Sequence, residues 1–396
     1  MTDQALSHLR VVDLTHYVSG PYCTKLLAGF GAEVIKIEPP QTGDKLRHLG
    51  PFYRDGEDLE RSIPFLWLNT GKKSVTLNLK TDKGLEVLKR LVKSADVLVE
   101  NFSPRVMPGL GFSPEVLRDL NPRLVVASIS SFGQTGPYRD YRAQEIQLQA
   151  LSGMMHMTGE AEKPPLASGP AICQYSAGVH AYCAVLMALF QRGNNGQGQY
   201  VEVSVLECAL EHIELTLAKF LQLGKQGRRS EHLLALWDLY PCRDGYAAVI
   251  SAPVRHWLKG AWIFDEPRLL DEKYRHMTDR MRHRQELEDL IRPWLNAHDK
   301  QEIFELGQAQ HLAFGYLATL PEVLASPQHR SREFFVEVDH PAAGRHRYGG
   351  APFKMSETPW RSHRAPLLGE HNQDIYAGEL AYAPGEIKGW REAGII

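Results

Sequence analysis

Few residues in this chain have both the type and the setting for covalent or acid–base chemistry. Gly169-Pro-Ala-Ile-Cys-Gln-Tyr-Ser-Ala-Gly178 places Gln174 just ahead of a helix of small residues beginning at Ser176. A carboxamide nitrogen is a poor nucleophile and the group has no anionic oxygen, so Gln174 cannot open a covalent route. A loop histidine such as His16, ahead of the Ser19-Gly20-Pro21 turn, can also serve simply as a hydrogen-bonded loop residue. The five cysteines (23, 173, 183, 208, 242) show no CxxC or metal spacing and read as reduced thiols. No GxGxxG follows the first β-rich segment and no Walker pattern occurs, which lowers NAD and ATP as cofactors.

The elements that must position these residues follow from periodicity. Segments 10–15, 33–38, 74–79, 97–102 and 124–130 are short β-rich runs separated by helical stretches such as 84–92 and 114–120. That alternation predicts βαβ units and a mostly parallel sheet in an α/β, Rossmann-like large domain. Leu85, Leu88, Leu91 and Val92 make one apolar helical stripe facing the sheet. Apolar helices are predicted at 176–191 and 205–223, ending at the polar break Gly224-Lys-Gln-Gly-Arg-Arg229. The break sets expected domains at 1–224, completed by 326–396, and a smaller α+β domain at 225–325. Within the latter, a β run at 246–251 precedes amphipathic helices near 285–297 and 300–311. Strand and turn chemistry returns at 334–338 and 349–353.

The segment around Gln174 closely resembles the active-site segment of class III CoA-transferases, the CaiB/BaiF family. Their pattern is Gly-x-x-x-x-Asp-x-x-x-Gly, and its Asp forms an acyl-aspartyl anhydride and then an aspartyl-CoA thioester. The resemblance is sustained by Leu9–Thr15, His16–Pro21, Gly31–Glu38, Gly43-Asp44 with Arg47, Asn69–Val75, Leu77–Leu79 and Asp96–Phe102. It continues through Asn121-Pro122, Ser131–Pro137, Gln149–Gly153 and Gly196–Val203, and a closing motif stands at Ala365–His371. It implies an interlocked dimer and a CoA thioester as substrate, with no resident cofactor or metal. By the same resemblance His16 and the following turn line the thioester end, and Asn101 and Phe102 lie along the pantetheine arm. Leu77 matches an adenine-pocket residue, Arg142 stands for a Lys that meets CoA phosphate, and Glu145 is an auxiliary near the active carboxylate. Leu77 equally reads as core, and Arg47 with Lys72 and Lys73 as solvated surface charge.

The departures from the family are equally specific. Pro39 replaces an Arg that stacks on adenine in some members, and Val18 a Gln. Where a glycine-rich lid is expected, near 233–246, the chain has Leu233-Leu-Ala-Leu-Trp-Asp-Leu-Tyr-Pro-Cys-Arg-Asp-Gly245. The racemase branch needs a His and an Asp where this chain has Ala143 and Gln174, and a base near its operating pKa is missing from both places.

Three readings follow. The chain is an accessory subunit acting with a homologous subunit that carries the catalytic Asp, as in enzymes of the succinyl-CoA:(R)-benzylsuccinate CoA-transferase type. Alternatively it is a homodimer with altered chemistry through Glu145 or a substrate carboxylate, or a non-catalytic CoA-thioester-binding protein. A net charge of −2 argues against a nucleic-acid surface. No apolar run in the sequence approaches the roughly 20 residues of a bilayer span. A cytoplasmic protein with CoA-thioester and carboxylic-acid partners is the expectation.

Overall fold

The computed structural model describes residues 4–54, 56–227, 229, 234–251 and 254–396. The chain divides into two compact units, 1–229 with 333–396, and 230–332. The divisions therefore fall a few residues beyond the expected breaks after 224 and 325.

The larger unit is built on six parallel strands, β1 (Arg10–Asp13), β2 (Glu33–Glu38), β3 (Lys73–Thr76), β4 (Val97–Glu100), β5 (Val125–Ser130) and β6 (Tyr200–Ser204). They lie in the order β3-β2-β1-β4-β5-β6. Five of them correspond to the predicted β-rich runs. The sixth lies in a stretch read only as a family landmark, because Tyr200-Val-Glu-Val-Ser204 alternates too briefly to stand out. The strand order reverses between the parallel neighbours β1 and β4: β2 and β3 are added on one side of β1, and β5 and β6 on the far side of β4. In open α/β sheets the crevice beyond such a reversal is where ligands bind.

One face of the sheet is covered by α1 (Ser19–Gly29) and the other by α2 (Asp82–Lys93), so both faces are apolar. The Thr81 hydroxyl accepts from Gly84 N and caps α2, whose Val87, Leu88, Leu91 and Val92 are buried. The predicted stripe thus faces the sheet, with Leu85 packed at its edge. The chain end closes this layer: Tyr376, Ile387, Trp390 and Ile396 join the same core.

Beyond β5, α3 (Glu145–Leu151) leads toward α4 (Ile172–Asn195), which packs Cys173, Ala177, Ala181, Val185 and Ala188 into the core beside α1. Helix α4 starts four residues earlier than the sequence suggests, so Gln174 lies inside its first turn. By length and composition its 24 residues would suffice to cross a membrane, contrary to the sequence expectation, but a stripe of them is buried in the protein core. The predicted helix 205–223 is broken: Val205–Leu210, a 3-10 turn at Glu211–Ile213, then α5 (Glu214–Leu223), none of whose residues is buried.

The smaller unit contains β7 (Trp237–Cys242) paired antiparallel with β8 (Gly245–Ile250), and helices α6 (Arg284–Ala297) and α7 (Lys300–Ala309). The stretch expected to replace the family's lid is therefore largely a hairpin strand; its first residue, Leu233, lies outside the described residues. In the larger unit, Phe335–His340 and Gly344–Gly349 form a second antiparallel hairpin.

Candidate active site

The C-terminal ends of β1 and β4 meet at the strand-order reversal, and the loops leaving them are clasped together. The Asn101 side chain accepts from His16 N at 2.8 Å and donates to His16 O at 2.7 Å. The His16 ring lies 5.8 Å from the Phe102 ring, centroid to centroid, and its Nδ1 is 3.3 Å from Asp44 Oδ1. His16, Asn101 and Phe102 are thus brought together at one corner of the crevice.

Under this corner lies a buried network of charge. Lys36 Nζ is 2.7 Å from Asp44 Oδ2 and donates to Thr15 O. Lys72 Nζ is 3.0 Å from Asp13 Oδ2 and also donates to Pro21 O and Asn69 Oδ1. Thr15 and Thr24 hydroxyls donate to the two Asp13 oxygens at 2.5 and 2.7 Å. Arg47 donates to both oxygens of Glu38 at 2.7 and 3.0 Å and lies 3.6 Å over the Phe65 ring. Burial alone would raise the Asp13 carboxyl, but Lys36 and Lys72 outweigh it and hold it well below the usual range. Asp44 is held low in the same way by Lys36 and His16. Burial pulls the Lys72 ammonium down to about 8 in spite of Asp13.

This network corrects two readings. Arg47 and Lys72 are not solvated surface charges but fully enclosed, while Lys73 is half-exposed and pairs with Glu33. Leu77 is 1% exposed and packed in the core against the α2 side of the sheet, so it presents nothing to a ligand. Lys36 and Glu38 were missed altogether. They alternate with Ile35 and Ile37, a pattern normal for a half-exposed strand, but β2 is covered on both faces.

The second part of the site is the start of α4. Ala171 precedes it at φ 61°, a left-handed conformation that costs a non-glycine residue about 1–2 kcal/mol. The Glu145 carboxylate, at the head of α3, closes the turn: it accepts from Cys173 N at 2.8 Å and Gln174 N at 3.3 Å. It also accepts from the Gln149 side chain at 2.8 Å, and Gln149 in turn accepts from Ser168 N. A carboxylate on the first free N–H groups of a helix also favours the helix dipole. Glu145 is therefore a tertiary cap rather than a free nucleophile. Cys173, next to Gln174, does not substitute either: burial, with Glu145 beside it, pushes its thiol up to about 12.

The two parts adjoin because α4 has glycine where the start of α1 passes. A Cβ on Gly178 would stand 2.7 Å from Ser19 O and about 3 Å from the Tyr22 ring. Tyr22 and Tyr175 rings meet edge-on at 4.9 Å across the same seam. Arg142 stands exposed on the loop before α3 and Pro39 exposed at the end of β2, outside this cluster of contacts.

Residues 6–372 match the family model for CoA-transferase family III. The chain belongs to that family. It is similar to formyl-CoA:oxalate CoA-transferase of Streptomyces avermitilis, with 36% identity covering 99% of this chain and all of the relative. It is likewise 35% identical to the protein of that name from Streptomyces coelicolor, over the full length of both. Among solved structures, a CaiB/BaiF family protein from Brucella suis superposes with a TM-score of 0.85 at 28% identity, covering 95% of this chain and 99% of that one. Rv3272 from Mycobacterium tuberculosis gives 0.83 at 27%, covering 94% and 99%. The α/β fold is thus that of the class III CoA-transferases, as the sequence resemblance implies.

The capping role of Glu145 has a measurable consequence. Glu145→Ala removes the acceptor for two backbone donors and should lower the unfolding free energy by about 1–2 kcal/mol. Amide exchange at Cys173 and Gln174 should accelerate, while Glu145→Gln, which keeps one acceptor oxygen, should lose less. Unchanged exchange at both amides in Glu145→Ala would contradict the assignment.

Proposed function

We propose that this chain is a subunit of a class III CoA-transferase whose nucleophilic Asp is carried by a homologous partner subunit. The observation that carries this reading is the first turn of α4. Gln174 stands where the family pattern has Asp, and the adjacent carboxylate, Glu145, is committed to the backbone amides of Cys173 and Gln174. The same commitment weighs against a homodimer acting through Glu145.

An apolar outer surface supports a partner. Met187 and Phe190 of α4 are 65% and 77% exposed, and Leu215 and Leu221 of α5 are 78% and 73% exposed. Large apolar side chains left exposed on two helices suit an association site. An interlocked pairing of the family type would bury it.

In the complex, the partner's Asp attacks the acyl-CoA donor to give a mixed anhydride and CoA thiolate. The thiolate attacks the enzyme carbonyl of that anhydride, giving an enzyme thioester and releasing the donor acid. The acceptor carboxylate then enters and the sequence runs in reverse, so CoA moves without ATP. Backbone donors stabilise each oxyanion. The acyl donor is succinyl-CoA on the heteromeric reading, and the relatives' names point to formyl-CoA and oxalate as the pair to assay beside it.

The test is purification of the chain alone and with an Asp-bearing homologue. Alone it should form an oligomer in ultracentrifugation yet give no turnover with either donor, and hydroxylamine should trap no acyl group on it. With the homologue it should form an active 1:1 complex stable in high salt. A hydroxamate mapped to any residue of this chain would overturn the proposal.

A further inference from the structure

Four carboxylates are buried at or just beyond the C-terminal ends of the central strands, and three of them have a cation. Asp13 has Lys72 at 3.0 Å, Glu38 has Arg47 at 2.7 Å, and Asp44 has Lys36 at 2.7 Å. The fourth, Glu100 at the end of β4, is 3% exposed and among the described residues has no cationic partner. Its neighbours are Phe102 N, donating at 2.8 Å, and the Ser128 side chain. A buried charge is ordinarily paired, so a lone buried carboxyl is an unfilled half of an interaction.

Glu100 opens into a cleft of about 500 Å³ on the α2 side of the sheet, the face opposite the one that α4 covers. Glu100, Ser128 and Glu202 stand level on β4, β5 and β6, so they line its floor in one row. Glu100 and Glu202 are two strand spacings apart, roughly 10 Å. The walls are apolar, from Met107, Pro108, Phe112 and Leu117. At the rim, Arg105 donates to both oxygens of Asp140 at 2.8 and 2.6 Å and Arg139 lies 3.5 Å from the same carboxylate, so Asp140 offsets one of these two cations.

We propose that this cleft binds a small organic ammonium ion, its charged nitrogen on Glu100 and its apolar body against Met107, Phe112 and Leu117. A primary ammonium on an aromatic or short alkyl group suits it, since Glu100 and Glu202 stand on the floor, Met107, Phe112 and Leu117 form apolar wall, and Arg105 and Arg139 are held on Asp140 at the rim. A drug-sized ligand normally finds such a balance of apolar wall and few polar anchors. The cleft adjoins the His16 corner through Phe102, whose N–H donates to Glu100, but it lies on the opposite face of the sheet from Gln174.

Burial raises the Glu100 carboxyl to about 7, because the Ser128 and Phe102 hydrogen bonds are too few to offset desolvation. An ammonium ligand needs the ionised form, so protons compete with it below that value. The other groups facing the cleft are Glu202, the Tyr200 phenol raised by burial, and the Arg105–Asp140–Arg139 rim.

Calorimetric titration of the full chain with benzylammonium chloride, and with benzyl alcohol as its uncharged counterpart, tests the proposal. Benzylammonium should bind at least tenfold more tightly than benzyl alcohol at pH 8. Its affinity should fall about tenfold between pH 8 and pH 6, the change expected of one competing proton at a site near pH 7. Glu100→Gln should remove the preference for the ammonium and flatten the pH profile, and the wild-type profile alone suffices should that variant not fold. Equal binding of the two probes, absence of binding by both, or an ammonium affinity that does not change from pH 8 to 6 would each overturn it.

Discussion

Asp13→Ala is expected to lower the unfolding free energy by about 3–5 kcal/mol, the largest stability effect of any single side chain considered in this protein. Asp13 is fully buried, and its carboxylate takes Lys72 at 3.0 Å and the hydroxyls of Thr15 and Thr24. Removing it leaves two enclosed ammonium groups, Lys36 and Lys72, with Asp44 and Glu38 as buried anions near Lys36. Adding Lys72→Met should recover part of the loss, because an uncharged side chain of similar length no longer needs a counter-ion. Urea denaturation of the four proteins in that cycle measures the coupling. Additive losses would show that the pair is not what holds these residues.

The same network sets the acid limit. The folded-state values of Asp13 and Asp44 lie below their unfolded ones, so the stabilisation they supply is present above pH 4 and lost as pH falls further. Stability should therefore decline below about pH 4, and less steeply in Asp13→Ala, from which one of the two groups is missing.

Gln174→Asp is expected to leave the isolated chain without robust CoA transfer, although it restores the family's residue type. The carboxylate would sit in the first turn of α4, but the rest of the site would still depart from the family. Pro39 is exposed where an adenine-stacking Arg is expected, and a β-hairpin runs through the stretch where a glycine-rich lid is expected. Misplacement of a reacting group by about 1 Å costs roughly 100-fold. On the proposed partner-subunit reading, Asp→Asn in the partner should instead abolish turnover of the reconstituted complex, since on that reading only that carboxylate forms the anhydride. Turnover of both complexes decides between them. Robust transfer by a Gln174→Asp homodimer would remove the main support for the partner-subunit reading.

The sequence by itself determined the parallel sheet and the family. Short β-branched runs at 10–13, 33–38 and 125–130 and the 85–92 apolar stripe are local patterns, readable because periods of 2 and 3.6 residues need only neighbours along the chain. The identity of Gln174 is read directly. What only the tertiary structure decided is where charge goes. Lys72 and Asp13 are 59 positions apart and Arg47 looked like any surface arginine; their burial depends on strands that meet only in the folded sheet. Glu145 resembled an active-site acid until the fold brought it onto the amides of Cys173 and Gln174 across 28 and 29 positions. Glu100 drew no notice in sequence because the want of a counter-ion is a fact about space: whether a carboxylate is paired is settled by the side chains that other strands bring within a few ångström.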